Sequence, residues 1–409
     1  MDTLIRGARL AGGAEPVDVG IADGRIAAIG PALAAEGEVI EAGGGLLVGG
    51  LVETHVHLDK SCILDRCHAT EGTLAEAVRL SAAAKRDFTP EDVYARGRRT
   101  LEKSIGWGTT RMRTHVEVDP GIGLRGFEGV QLLARDHAWA MDIEICVFPQ
   151  EGLLNNPGTE ELLIEGLRRG ARAIGAAPYI DSDPRGQIDR IFELARDFDV
   201  DIDMHLDFAD STEGMQAEYV CRKTETAGWG GRVAIGHVTQ MSLLPPERVA
   251  AMARMLADAG VAVTVLPSTD LFLMGRSHDH AIPRGVLKLE GLRAAGVTCS
   301  LATNNVLNPF TPFGDANLLR MANLYANICQ CGRPDDLAAC LGMVTTDAAR
   351  LLRAEAYGVR VGAPADLVLL DAPDAAGAVA ELAPALWGMK AGRRTFSRGR
   401  PVLHRPSAE

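Results

Sequence analysis

The sequence predicts an α/β fold: a closed (β/α)8 TIM barrel joined to a small β-sandwich built from both chain termini. Three observations carry that reading. Apolar, β-branched runs recur about every 30 residues through the middle of the chain, with helical patterns between them. Several of these runs end in polar residues, as the carboxyl ends of barrel strands do. Short strand patterns separated by glycine turns fill both ends of the chain.

Residues 1–48 read as the first part of the sandwich. Leu4-Ile5, Val17–Ala22, Arg25–Ile29 and Glu38–Ile40 are strand patterns of an antiparallel sheet, with a turn at Ala22-Asp-Gly24. Residues 49–345 read as the barrel. Its strands end near His57, His115, Phe148, Pro178, Asp207, Val238, Pro267 and Asn304. The long first gap holds two helices, about residues 73–85 and 90–105, where Thr89 suits an N-cap and Pro90 the first helical position. Another helical pattern runs from Pro246 through Leu256. Residues 346–409 complete the sandwich, with a strand at Ala365–Asp371 and a strand, turn and strand over Thr395–Leu403. An open doubly wound sheet is the rival architecture. No G-x-G-x-x-G or phosphate loop follows the first strand, which counts against its nucleotide-binding forms.

The composition is that of a globular protein, 47% apolar and 23% charged over 409 residues. A net charge of −12 argues against nucleic acid or an anionic membrane as partner. No run of about 18 apolar residues predicts a membrane span. The N-terminal residues lack the basic and apolar segments of a secretory signal. The eight cysteines are scattered, several in apolar runs, and read as reduced residues of a cytoplasmic protein. A homo-oligomer acting on a small molecule is expected.

Chemistry concentrates at the strand ends. The first strand finishes in His55-Val-His57, two imidazoles on one face of a strand. The fifth ends in His205-Leu-Asp207, the sixth in His237 and the eighth in Asn304-Asn305. Each alone reads equally as an ordinary polar strand end; together they point to a metal or catalytic site. Three neutral imidazoles hold a divalent ion and leave a position for water, whose proton becomes acidic near neutral pH. A further group must move protons, and donors must polarise the attacked carbon.

Several segments resemble the cytosine deaminase branch of the amidohydrolase superfamily. They are Val52-Glu-Thr-His-Val-His-Leu-Asp-Lys60, Arg113-Thr-His-Val116, Phe148-Pro-Gln-Glu-Gly152, His205-Leu-Asp207 and Gly236-His-Val-Thr239. The chain is similar to N-isopropylammelide amidohydrolases as well. The resemblance implies one divalent ion on His55, His57 and His205, with Asn304 at the fourth protein position. Zinc is preferred, with iron or manganese as alternatives. It also implies that Gln150 binds substrate and that His237 lies beside the reacting water.

Two departures matter. The family's aspartate at the end of the eighth strand is Asn304 here, and its strand-five glutamate is Phe208. An amide accepts no proton near neutral pH. Cytosine is therefore not the expected substrate. Three readings stay open: a binding-only relative, a proton shuttle rebuilt from Asp207, Asp210 or His237, or a substrate reactive enough to need little help. The expected activity is hydrolysis of a C–N or analogous bond at an sp² carbon of a small N-heterocycle, with ring-opening amidohydrolysis as the alternative. His237, Asp207 and Asn304 are the catalytic candidates.

Lys60, Gln150, Phe208, Asn305 and Asp270 are the substrate-binding candidates. Lys60 fits an anionic substrate group or a solvated loop equally well. Phe208 either stacks on a planar ring or simply packs. Asp270 and Arg276 suit substrate-edge contacts or a local ion pair. His115 suits a supporting hydrogen bond behind the site. His278-Asp-His280 reads as a lid loop rather than a metal site.

Overall fold

A computed structural model describes residues 1–13, 15–34 and 37–404. The chain begins with five strands: β1 (Thr3–Leu10), β2 (Val17–Ala22), β3 (Arg25–Gly30), β4 (Glu38–Glu41) and β5 (Leu46–Gly49). Eight barrel strands follow: β6 (Leu51–Val56), β7 (Thr109–Glu117), β8 (Asp142–Phe148), β9 (Ala173–Ile174), β10 (Asp201–Leu206), β11 (Val233–His237), β12 (Val261–Val265) and β13 (Cys299–Leu301). The last three are β14 (Leu367–Leu370), β15 (Ala385–Lys390) and β16 (Arg393–Ser397).

Strands β6 to β13 pair in chain order and in parallel. The ring closes where Val56 bridges Asn304. There the Asn304 N–H donates to the His55 carbonyl at 2.8 Å and the His57 N–H to the Asn304 carbonyl at 2.9 Å. Closure thus brings the first and eighth strand ends together, although 247 residues separate His57 from Asn304 in sequence. Helices cover the outside, and their starts follow local chemistry. Thr73 caps Leu74–Ala84, Thr89 caps Pro90–Gly106 and Asp183 caps Pro184–Phe198, each through its side-chain oxygen. The helix Pro246–Ala259 stops at Gly260, in the left-handed region at φ 67°, where a Cβ would meet the Gly231 nitrogen at 2.9 Å.

The terminal segments share one sheet, ordered β16-β15-β14-β5-β1-β2-β3 with β4 also on β1. It encloses its own apolar core, including Ile5, Val19, Ile21, Leu367 and Met389. This sheet is mixed rather than antiparallel, because β1 pairs in parallel with both β4 and β5. Only one strand, β16, forms over the expected strand–turn–strand near the C-terminus, and residues 398–404 take no regular structure. The helix Thr346–Leu351 packs Ala348 and Ala349 on Val52 of the first barrel strand. No helix among the described residues is long and apolar enough to cross a membrane.

Candidate metal centre and active site

Alternation along the strands builds the site. His55 and His57 point the same way because they are two residues apart on one extended segment. His205 reaches them from β10. Its Nε2 lies 3.1 Å from His55 Nε2 and 3.1 Å from His57 Nε2. All three rings are buried. Burial, reinforced for His55 by the neighbouring His115, holds the His55 imidazole down to about 3. The other two also sit well below the ordinary range, chiefly through burial. The three are therefore neutral imidazoles with lone pairs available. Gly236 makes room: a Cβ there would sit 3.3 Å from His55 Nδ1.

His115 is also close, and His55, His115 and His205 offer ligand atoms within 4.8 Å of one another. Its ring, however, stacks flat on His55, with centroids 3.7 Å apart and planes at 22°. Its Nε2 lies 3.4 Å from Asp203 Oδ1. His115 therefore supports His55 from behind.

One step down each strand lies a polar layer that the sequence reading missed. Glu53, Arg113 and Asp203 each precede a site histidine by two residues, so they share its face. Arg113 donates to Asp203 at 3.0 Å and pairs with Glu144 at 2.6 Å. Burial would raise the Asp203 carboxyl, but His115, His55 and Arg113 hold it well below the usual range. Glu53 accepts the backbone N–H groups of His55 and Thr303, and burial pushes its carboxyl up to about 7. The alternation rule was the signal that could have found all three.

His237 ends β11 at φ 71°, and Val238 follows at φ 46°. Asp207 and Asn304 are also left-handed, at φ 50° and 60°. Strained non-glycine residues at three strand ends mark a functional rim. Asp270 lies 2.6 Å from His237 Nδ1. A carboxylate accepts, so that nitrogen carries a proton, and it is Nε2 that is left to face the site in either ring state. Phe208 stacks on His237, centroids 4.1 Å apart.

The opposite wall is charged. Lys60 donates to Glu117 at 2.7 Å and to the Gln150 oxygen at 3.2 Å, and lies 4.3 Å from the Phe310 ring centre. Lys85 takes the other Glu117 oxygen at 2.9 Å, Asp119 at 2.5 Å, and Glu151. Burial would raise the Glu117 carboxyl, but the two ammonium groups hold it low. Gln150 Nε2 makes no hydrogen bond within the protein, and the Tyr179 hydroxyl lies beside that amide.

Several expectations change. Asp270 is fully buried behind His237 and accepts the Leu266 N–H with its other oxygen, so it meets no substrate edge. Asp207 accepts the Gln216 and Ala217 N–H groups at 2.7 and 3.1 Å, which ties it to the start of the helix Ala217–Ala227, while burial pushes its carboxyl up to about 6. Lys60 is no solvated loop lysine: it is buried and paired. Asp210 accepts the Gly275 N–H, and Arg276 packs on Phe272. His280 pairs with its neighbour Asp279 in an exposed loop.

Comparison with known proteins follows the geometry. Residues 130–403 match the family model described as Amidohydrolase family. The chain is 28% identical over 369 residues to a pterin deaminase of Rhizobium rhizogenes, covering 87% of this chain and 82% of that one. It is 28% identical over 404 residues to an N-isopropylammelide isopropyl amidohydrolase of a Pseudomonas species, covering 96% of each. The crystal structure of a 5-methylcytosine deaminase from Klebsiella pneumoniae, liganded with 5-fluorocytosine, superposes with a TM-score of 0.94 at 27% identity, over 98% of this chain and 99% of that one.

Proposed function

We propose that this chain, which belongs to the amidohydrolase family and its cytosine deaminase-like branch of C–N hydrolases, acts on a small nitrogen heterocycle other than cytosine with one divalent ion as cofactor. The observation that carries the reading is the meeting of three neutral, buried imidazole Nε2 atoms at 3.1 Å spacings. Such a donor set fits zinc first, and iron or manganese next. The Asn304 side-chain oxygen is buried beside them with no partner, as a fourth, weak oxygen donor requires. When bound, a divalent ion makes water acidic near neutral pH and polarises a carbonyl.

The protein's own groups supply the rest. His237, held through Nδ1 by Asp270, is the group placed to take a proton and return it to the leaving nitrogen. Asp207, whose carboxyl burial pushes up to about 6, is the second group able to hold a proton there. Asn304 and Asn305 orient substrate by hydrogen bonds, and Lys60 and Gln150 read its edge. Phe208 fills the place of a second acid with an aromatic face. Proton traffic is left to His237 and Asp207, which suits a ring carbon already made electrophilic by neighbouring nitrogens. Eight free cysteines suit a reducing, cytoplasmic setting.

Incubating zinc-loaded protein with pterins, N-alkylated triazines and substituted pyrimidines, and weighing the products, tests the proposal. Release of ammonia or an amine with the ring intact is the expected result. A ring-opened product supports the cyclic amidohydrolase alternative instead. No product from any ring, despite a bound ion, would sink the catalytic reading and favour a binding protein.

A further inference from the structure

The orientation of an amide is ambiguous alone, yet a chain of one-way hydrogen bonds fixes three of them here. An ammonium group only donates, so the Gln150 atom facing Lys60 must be oxygen. Gln150 therefore keeps its NH2 for other partners, and that nitrogen bonds nothing within the protein. Asn308 is fixed from the other side. Its oxygen accepts the backbone N–H groups of Phe310 and Thr311 at 3.0 and 3.2 Å. Its nitrogen must then be the atom that donates to the Lys60 carbonyl at 3.3 Å and to the Asn305 oxygen at 2.7 Å. Asn305 is thereby fixed in turn, with its oxygen turned toward Asn308 and its NH2 left over.

The charge of this wall is also settled. Lys60 is paired with Glu117, and Lys85 with Glu117, Asp119 and Glu151, so three carboxylates face two ammonium groups. No uncompensated positive charge remains for an anion. The wall adjoins the triad: His57 lies 5.3 Å from the Phe148 ring centre, and Lys60 lies 5.7 Å from the same ring.

Resting on the functional reading above, we infer that the substrate meets Lys60, Gln150 and Asn305 through an uncharged edge made only of acceptors, such as a ring carbonyl beside an unprotonated ring nitrogen, and that Asn308 is the positioning residue that sets this polarity. A site built from donors penalises a ring that presents an N–H, because two donors then face each other.

Calorimetric binding to zinc-loaded protein tests this with three probes that need not turn over. 2-Pyrimidinone presents a carbonyl next to an unprotonated ring nitrogen, 2-aminopyrimidine replaces that oxygen by a donor, and orotate carries a carboxylate on a ring whose carbonyl is flanked by N–H groups. 2-Pyrimidinone should bind at least about tenfold more tightly than 2-aminopyrimidine, and orotate no more tightly than 2-pyrimidinone. In Asn308→Asp a carboxylate oxygen faces Asn305, whose amide must turn to present its oxygen to the site. The pyrimidinone preference should then shrink to less than about threefold with the metal content unchanged. Gln150→Glu, which exchanges the other free NH2 for oxygen, should shrink it too and serves if the first variant does not fold. Equal or tighter binding of 2-aminopyrimidine, tighter binding of orotate, no binding of either ring, or an unchanged preference in the variants would overturn the inference. The readout is binding, so failure to find a hydrolysed product would sink the functional proposal and leave this one standing.

Discussion

The two ends of the barrel both pair charges, but they differ in which polar atoms they leave over. At the amino-terminal end, charges pair with one another. Arg232 bonds Asp199 at 2.5 Å and Asp201 at 2.9 Å, Arg353 joins Asp201 at 2.7 Å, and Lys390 joins Asp142 and Asp366 at 2.7 and 2.6 Å. At the carboxyl end, buried atoms of substrate- or ion-facing residues are left over: the Gln150 nitrogen and the Asn304 oxygen. Left-handed residues crowd the same rim. An unsatisfied buried polar atom costs about 1–3 kcal/mol, so a cluster of them at one end marks a site kept for a ligand. The amino-terminal end, away from the site, is the face on which a barrel of this kind carries stabilising pairs.

That contrast can be broken most sharply at His237. Asp270→Asn should lower kcat by about 100-fold or more with metal content and fold unchanged, because the imidazole loses its fixed tautomer. Steady-state rates on the first ring found to react provide the check, and an unaltered kcat would remove His237 from the proton path. Lys85→Met comes next. It leaves buried Asp119 without a cation and Glu117 with Lys60 alone, beside the partly exposed Glu151, and should cost about 3–5 kcal/mol in denaturant unfolding. A loss below about 1 kcal/mol would mean that the cluster is far wetter than its burial indicates.

The same cluster sets an acid limit. Glu117 is held below its ordinary value in the folded protein, so the unfolded chain binds its proton more readily. Its contribution is complete above the usual carboxylate range and disappears as the pH falls through and below it. Melting temperature should therefore drop on acidification, and less steeply in Glu117→Gln. The smallest effect belongs to the paired end. Arg111→Ala removes a partly exposed pair with Asp142 at 3.1 Å and should change stability by less than about 1 kcal/mol.

What was legible in the sequence follows the range of the signal. The His-x-His pair showed itself because strand alternation is local, and the strand rhythm placed His205, His237 and Asn304 at the rim. Thr89 and Pro90 marked a helix start that the structure reproduces. Lys85 gave no sign, because its partners lie 32 residues away or more and no periodicity links a helix end to two later strands. Asn308 was equally silent, since its effect depends on which atom of an amide faces which neighbour. The parallel pairing of β1 with β4 and β5 was hidden because strand patterns do not state their partners. Asp270 was legible as a polar residue of the loop after the seventh strand, but not as part of the short helix Pro267–Leu273 or as the partner of His237, 33 residues away.

The account rests on which imidazoles share an ion. Metal content after dialysis, measured for the parent protein and for His205→Ala, His57→Ala and His115→Ala, tests that most directly. One divalent ion per chain should be found in the parent, none in the first two variants, and about one in the third. Retention of the ion without His205 or His57, or its loss only without His115, would contradict the assignment.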